Sequence, residues 1–166
     1  MPMPVWAMKL PWDAITSTAY GHELSPKLIA AIVQTESRGD NFATRFEPKW
    51  KWFIDPEQRK AVAKDLGITL ATEEIHEAMS WGLMQIMGGT ARSALNYLGP
   101  LPAVCEIELG LELGCQYFKI LCDRHGSIEE AIVSYNAGSP REDKATGKWV
   151  NQAYLDKVQS YLRELS

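Results

Sequence analysis

Apolar residues in this chain recur at three- and four-residue intervals behind helix-capping signals, and almost nowhere do they alternate with polar ones. A chain patterned this way buries stripes rather than flat faces, so it must fold mainly as packed helices. The clearest segment opens with Ser25 as N-cap and Pro26 at the first helical position, where a missing N–H costs no hydrogen bond. Leu28, Ile29, Ile32 and Val33 form its stripe, and Glu36 falls four residues after Ile32 on the same side. Gly39 then stops the helix. A carboxylate there is either a sheltered acid in a cleft or, on the plainer reading, a solvated side chain of the last turn.

The remaining segments follow the same logic. Asp55-Pro56-Glu57-Gln58 supplies an N-cap, a first-position proline and a capping-box glutamine, opening a helix to about Leu66. Shorter helices are expected over Glu73–Met79 and over Thr90–Leu98, the latter closed by Gly99-Pro100. The longest, Glu106–Arg124, carries Ile107, Leu111, Phe118 and Leu121 or Cys122 on one face, with Gly110 and Gly114 predicting close approach of a neighbouring backbone. Ser127-Ile128-Glu129-Glu130 is a capping box, after which Ile128, Ala131, Ile132 and Tyr135 share a stripe, so Tyr135 points inward. A last helix over about Asn151–Leu165 bears Leu155, Val158, Leu162 and Leu165. Any sheet should be small and lie between residues 40 and 54. No repeat or linker interrupts the chain, so a single domain over residues 1–166 is expected, its motif-bearing core spanning 25–165.

Several classes are disfavoured. A net charge of −4 argues against a general nucleic-acid binder, which needs a basic face, and supplies no attraction to an anionic wall. No run approaches the ~18 apolar residues of a membrane span. The start, Met1 to Lys9, lacks a basic stretch, an apolar run and a small-residue cleavage site. The chain is therefore expected to be made in the cytosol and to reach a wall without a signal peptide. Cys115 and Cys122 lie on one helix about 10 Å apart, too far to pair, so the three cysteines are expected to be reduced core thiols. His76 has no partner at ligand spacing, and no metal site is expected. There is no P-loop or dinucleotide fingerprint.

Three short segments carry the chemistry: Thr35-Glu36-Ser37, Gly82-Leu83-Met84-Gln85-Ile86 and Tyr135-Asn136-Ala137-Gly138. In that order they resemble the signature segments of the soluble lytic transglycosylases, which have a lysozyme-like fold. Tyr154-Leu155-Asp156-Lys157-Val158 resembles that family's closing helix. The likeness covers most of residues 25–165, apart from a long section between Glu36 and Gly82. Arg45-Phe46-Glu47-Pro48 and the run Tyr135–Arg141 are most similar to phage-encoded members.

The resemblance implies cleavage of the β-1,4 bond between N-acetylmuramic acid and N-acetylglucosamine in peptidoglycan, without a cofactor. Such cleavage needs a proton delivered to the leaving oxygen while positive charge builds on the sugar. A carboxylic acid supplies it near neutral pH if burial raises its pKa, and Glu36 takes this role by resemblance. It would then act as base toward the muramyl C6 hydroxyl, leaving a 1,6-anhydro end. Ser37 is expected to orient the acid or a sugar group, or else to satisfy the helix end. Gln85 is expected to bind sugar amide or hydroxyl groups, and Met84 to line the cleft or join the core. Tyr135 is expected to hydrogen-bond Glu36 unless it is purely structural, and Asn136 to shape the turn beside the sugar.

Acids between the first two motifs (Glu47, Asp55, Glu73, Glu74 and Glu77) keep a hydrolysing muramidase open as the rival. Glu47 is the candidate second carboxylate, with a salt bridge to Arg45 or Lys49 as its alternative. Trp50 and Trp52 alternate with Lys49 and Lys51, which reads as a half-buried strand or as a sugar-stacking edge with cations for stem-peptide carboxylates. The other rivals are an inactive wall-binding or virion module and an unrelated helical interaction domain. The expected partners are glycan strands, with a holin or virion proteins if the chain is phage-encoded; no stable membrane insertion is expected.

Overall fold

The computed structural model describes residues 2–166; Met1, the first residue of the stretch read for a signal peptide, lies outside the described residues. Eight α-helices and five short strands are formed among these residues. They fall into two compact units, one made of the chain up to Gly39 together with Cys115–Ser166, the other of Asp40–Gly114. The mainly helical expectation holds.

In the first unit, α1 (Trp12–Gly21) packs on α2 (Pro26–Glu36), and α2 packs on α8 (Gln152–Glu164), which also meets α7 (Ile128–Ala137). Ser25 caps α2 through its side-chain oxygen, which accepts from Leu28 N, and Pro26 sits at the first position. Residues 28–34 of α2 are all buried, which makes it the centre of this unit's core. Ser127 caps α7 as expected, and Gly138 ends it in the left-handed region at φ 80°. Helix α1 was not foreseen. It begins after Pro11 without a side-chain cap and buries Ile15 and Ala19 alone on a short stripe, so its local signal is faint.

The second unit holds α3 (Pro56–Leu66), α4 (Leu70–Glu77), α5 (Gly88–Ser93) and an antiparallel sheet of β1 (Thr44–Phe46), β2 (Met79–Trp81) and β3 (Ile86–Met87). Asp55 caps α3, and Gly67 closes it, matching the sequence. Other boundaries need correction. Helix α4 starts at Leu70 rather than Glu73, because Thr69 is its cap and accepts from Thr72 N. The helix expected over Thr90–Leu98 ends at Ser93, where Arg92 turns the chain back on itself. Its guanidinium donates to Tyr97 O and Gly99 O at 2.7 Å each, so those carbonyls serve Arg92 rather than a helix. The sheet is not confined to residues 40–54: β1 pairs with β2, Thr44 opposite Trp81, and β2 with β3. Residues 47–55 lie outside any strand, so the strand reading of Trp50 and Trp52 fails.

Two buried ion pairs organise this unit. Arg92 and Glu73 are both fully buried and join by Nε–Oε1 at 2.6 Å and Nη2–Oε2 at 3.1 Å. Arg59 Nε meets Glu77 Oε1 at 2.7 Å, and Glu77 Oε2 accepts from Ile54 N. Each buried carboxylate is thereby both charge-paired and hydrogen-bonded, as burial requires.

Helix α6 (Ile107–Arg124) begins in the second unit and ends in the first. A Cβ at Gly110 would stand 2.5 Å from Val104 O, the close backbone approach its glycine predicted; Gly114 instead makes room for the Met84 side chain. A two-residue hairpin pair, β4 (Glu142–Asp143) and β5 (Lys148–Trp149), precedes α8. None of the three cysteines is in a disulfide, and Cys115 is buried. No helix among the described residues is long and apolar enough to cross a membrane.

Candidate active site

Within the first unit, α2 delivers Glu36 at its last position, half-buried behind the stripe Ile29, Ile32 and Val33. The Tyr154 hydroxyl on α8 donates to Glu36 Oε1 at 2.5 Å. That length is typical of an O–H donor meeting a carboxylate, roughly twice as strong as a neutral pair. Burial first, then the negative charge of Glu36 and this hydrogen bond, hold the Tyr154 hydroxyl's pKa well above its ordinary 10.0. Tyr154 is therefore a permanent donor at any physiological pH, and it fixes which way the carboxyl group faces.

Tyr135 on α7 stands in the same neighbourhood. Its pKa is likewise raised well above 10.0, by burial first and then by the charge of Glu36. Its ring packs 5.6 Å from Tyr117 and edge-on 5.9 Å from Phe118, centroid to centroid. The inward direction read from the α7 stripe is thus observed. Ser37 is buried; its hydroxyl donates to Val33 O at 3.2 Å and accepts from Gly39 N at 3.2 Å, closing the end of α2. Arg38 and Gly39 both take positive φ, at 57° and 82°, which turns the chain sharply away behind the acid. Asn136 is exposed, and its Oδ1 accepts from Asn151 Nδ2 at 3.0 Å, while Asn151 also donates to Val133 O.

The second unit carries the Gly82–Ile86 loop. Gly82 adopts φ 72°, and a side chain there would strike the Val104 carbonyl, so both torsion and space demand glycine. Gln85 also has positive φ, 50°, a costly conformation for a residue with a Cβ. Its side chain explains how this is held: Nε2 donates to Ala43 O at 2.8 Å and Gly82 O at 2.9 Å, while Oε1 accepts from Ser80 at 2.8 Å. The amide thus buckles its own loop to the start of the sheet. Met84, expected to line the cleft or join the core, is fully buried against Gly114.

The acids between the first two motifs are now sorted. Glu73 and Glu77 are consumed in the buried pairs, and Asp55 Oδ1 accepts from the N–H groups of Glu57 and Gln58 as a cap. Glu74 is exposed. Glu47, the candidate second carboxylate, lies just beyond β1 with Oε1 2.5 Å from Arg45 Nε. That is the ion pair weighed as its alternative. Among the described residues no three His, Cys, Asp or Glu side chains are grouped to hold a metal ion.

Tyr154 is the residue whose role sequence reasoning missed. The available signal was its place four residues before Val158 on the inward side of α8, together with its position in the closing-helix segment.

The transglycosylase SLT domain family matches residues 13–158, a stretch that includes Glu36, the Gly82–Ile86 loop, Tyr135 and Tyr154. The chain belongs to that family, whose fold is lysozyme-like and whose members are peptidoglycan lytic transglycosylases. Comparison with curated proteins and with solved structures returned no match.

Proposed function

We propose that this protein cleaves the β-1,4 bond between N-acetylmuramic acid and N-acetylglucosamine, with Glu36 as both acid and base. The observation that carries the reading is the Tyr154–Glu36 hydrogen bond, in a chain whose family acts on peptidoglycan. Tyr154 orients the carboxyl group of Glu36 through Oε1, and that group carries the transferable proton. Glu36 gives that proton to the glycosidic oxygen as the anomeric C–O bond breaks and positive charge spreads over the ring oxygen and C1. The muramyl C6 hydroxyl then attacks C1, and the Glu36 carboxylate takes the hydroxyl proton. The acid is regenerated, no water is consumed, and the product ends in a 1,6-anhydro sugar. Because the nucleophile belongs to the substrate, one enzyme carboxylate suffices.

Around this centre Tyr135 and Ser37 brace the acid and the end of its helix, and Asn136 shapes the adjoining turn. Gln85 and Met84 serve by holding the Gly82–Ile86 loop in shape. The Arg45–Glu47 ion pair supports this one-carboxylate reading over the hydrolysing muramidase, since it gives Glu47 a structural occupation. The place of action is the bacterial cell wall. A phage-borne role in lysis or wall entry, with a holin or virion proteins as partners, is supported by the resemblance of Arg45–Pro48 and Tyr135–Arg141 alone.

Digestion of purified sacculi followed by mass spectrometry tests the proposal. Muropeptides lighter by one water than reducing-end products are expected, and none from a folded Glu36→Gln variant. Reducing ends would replace transglycosylation by hydrolysis; undiminished release by Glu36→Gln would remove Glu36 from the mechanism.

A further inference from the structure

We infer that the segment from Phe42 to Trp52 is a docking edge for peptide-bearing glycan, holding a sugar on Trp52 and stem-peptide carboxylates on Lys49 and Lys51. This rests on the peptidoglycan reading above and extends it to a segment that lies outside the three motifs in sequence. Phe42, Phe46 and Trp52 are 76%, 53% and 65% exposed, three large aromatic side chains standing in water within eleven residues of chain. An aromatic ring left in water forfeits the stabilisation that burial would give, and a stacked sugar would restore it. Phe46 ends β1, whose three residues are all exposed, and Trp52 projects from irregular backbone, since residues 47–55 form no strand.

The edge is also built. The Trp50 ring lies directly over Gly89, where a Cβ would come within 2.7 Å of its indole nitrogen, so the absence of a side chain at Gly89 seats the ring. Trp52 meets Trp50 edge-on, centroids 5.3 Å apart at 65°, which gives the exposed ring a fixed neighbour. The Lys51 ammonium sits 5.8 Å from the Trp52 ring centre. The indole N–H of Trp50 is shut off from solvent and meets no acceptor among the described residues, a donor that a shift of this irregular segment would offer to a sugar hydroxyl or N-acetyl carbonyl.

Charge selects the occupant. The whole chain carries −4, yet residues 42–52 hold three basic side chains, Arg45, Lys49 and Lys51, all exposed, against one acid, Glu47, which pairs with Arg45. A neutral glycan would need only the aromatic faces, against which the C–H face of a pyranose stacks. Exposed lysines beside them match a polymer whose sugars carry carboxylate-bearing peptides, and that match confers selectivity more than raw affinity.

Pelleting of the full chain in the Glu36→Gln form with insoluble sacculi, alongside glycan stripped of its peptides by an amidase, tests the inference without requiring catalysis. Trp52→Ala should weaken binding to both materials about tenfold, the loss typical of a truncated aromatic anchor, with Trp52→Phe retaining most of it. Lys49→Ala/Lys51→Ala should weaken binding to intact sacculi alone and flatten its salt dependence. Trp52 is exposed, so thermal melting should not change and misfolding is excluded as the cause. Unchanged pelleting by Trp52→Ala, or loss only of self-association, overturns the docking edge. Failure of the wild-type enzyme to release muropeptides would instead overturn the catalytic reading, which pelleting does not measure.

Discussion

Tyr154 and Glu36, 118 residues apart in sequence, meet through a 2.5 Å hydrogen bond in which the phenol donates to the carboxylate. The bond couples the last helix to the end of the second. Under the proposed mechanism it makes α8 part of the chemistry rather than a closing brace.

Removing only the donor isolates its contribution. Tyr154→Phe keeps the ring packing and should lower kcat by about tenfold to a hundredfold, the range for a hydrogen bond to a charged group. KM should hardly move, because the phenol orients the acid rather than the sugar. Steady-state release of soluble muropeptides gives both constants; a rise in KM at constant kcat would assign Tyr154 to substrate binding.

The two tyrosines also predict a pH dependence of stability. Burial and the charge of Glu36 disfavour their phenolates in the folded protein, so their folded pKa values lie above the ordinary 10.0. The folded state then holds these protons more tightly than the unfolded chain. The resulting stabilisation is complete below pH 10 and is lost as pH rises beyond it. Thermal melting between pH 9 and 11 should show a steeper decline for the wild type than for Tyr135→Phe/Tyr154→Phe.

Gln85 tests whether a motif side chain works by holding its loop. Gln85→Ala loses three hydrogen bonds and leaves a positive-φ residue without compensation, which should destabilise the protein by about 1–3 kcal/mol. Gln85→Gly loses the same bonds but relieves the torsion, so it should be milder by up to ~1 kcal/mol. Urea unfolding of the two variants checks the order. Equal destabilisation would dismiss the torsional component.

The buried Glu73–Arg92 pair should be unforgiving. Glu73→Ala strands a guanidinium with no exposure to water and should cost about 3–5 kcal/mol. Chemical denaturation measures it. A loss below ~1 kcal/mol would mean that the Tyr97 and Gly99 carbonyls alone hold Arg92.

Local chemistry alone determined the helices with strong caps. Ser25-Pro26, Asp55-Pro56 and Ser127 fixed the starts of α2, α3 and α7, because a cap satisfies backbone N–H groups within its own turn. The place of Glu36 at a helix end and the inward turn of Tyr135 follow from the same periodicity. Tertiary structure decided what depends on partners far along the chain. Arg92 cut short a helix that local propensity would have continued, since three carbonyl and carboxylate partners outweigh one more turn. Strand β1 needed β2 to exist at all, because three residues form a sheet only when another segment completes their hydrogen bonds. The choice of Tyr154 as the donor to Glu36 belongs here as well: spacing can turn a phenol inward, but only the packing of α8 on α2 brings it to a carboxylate.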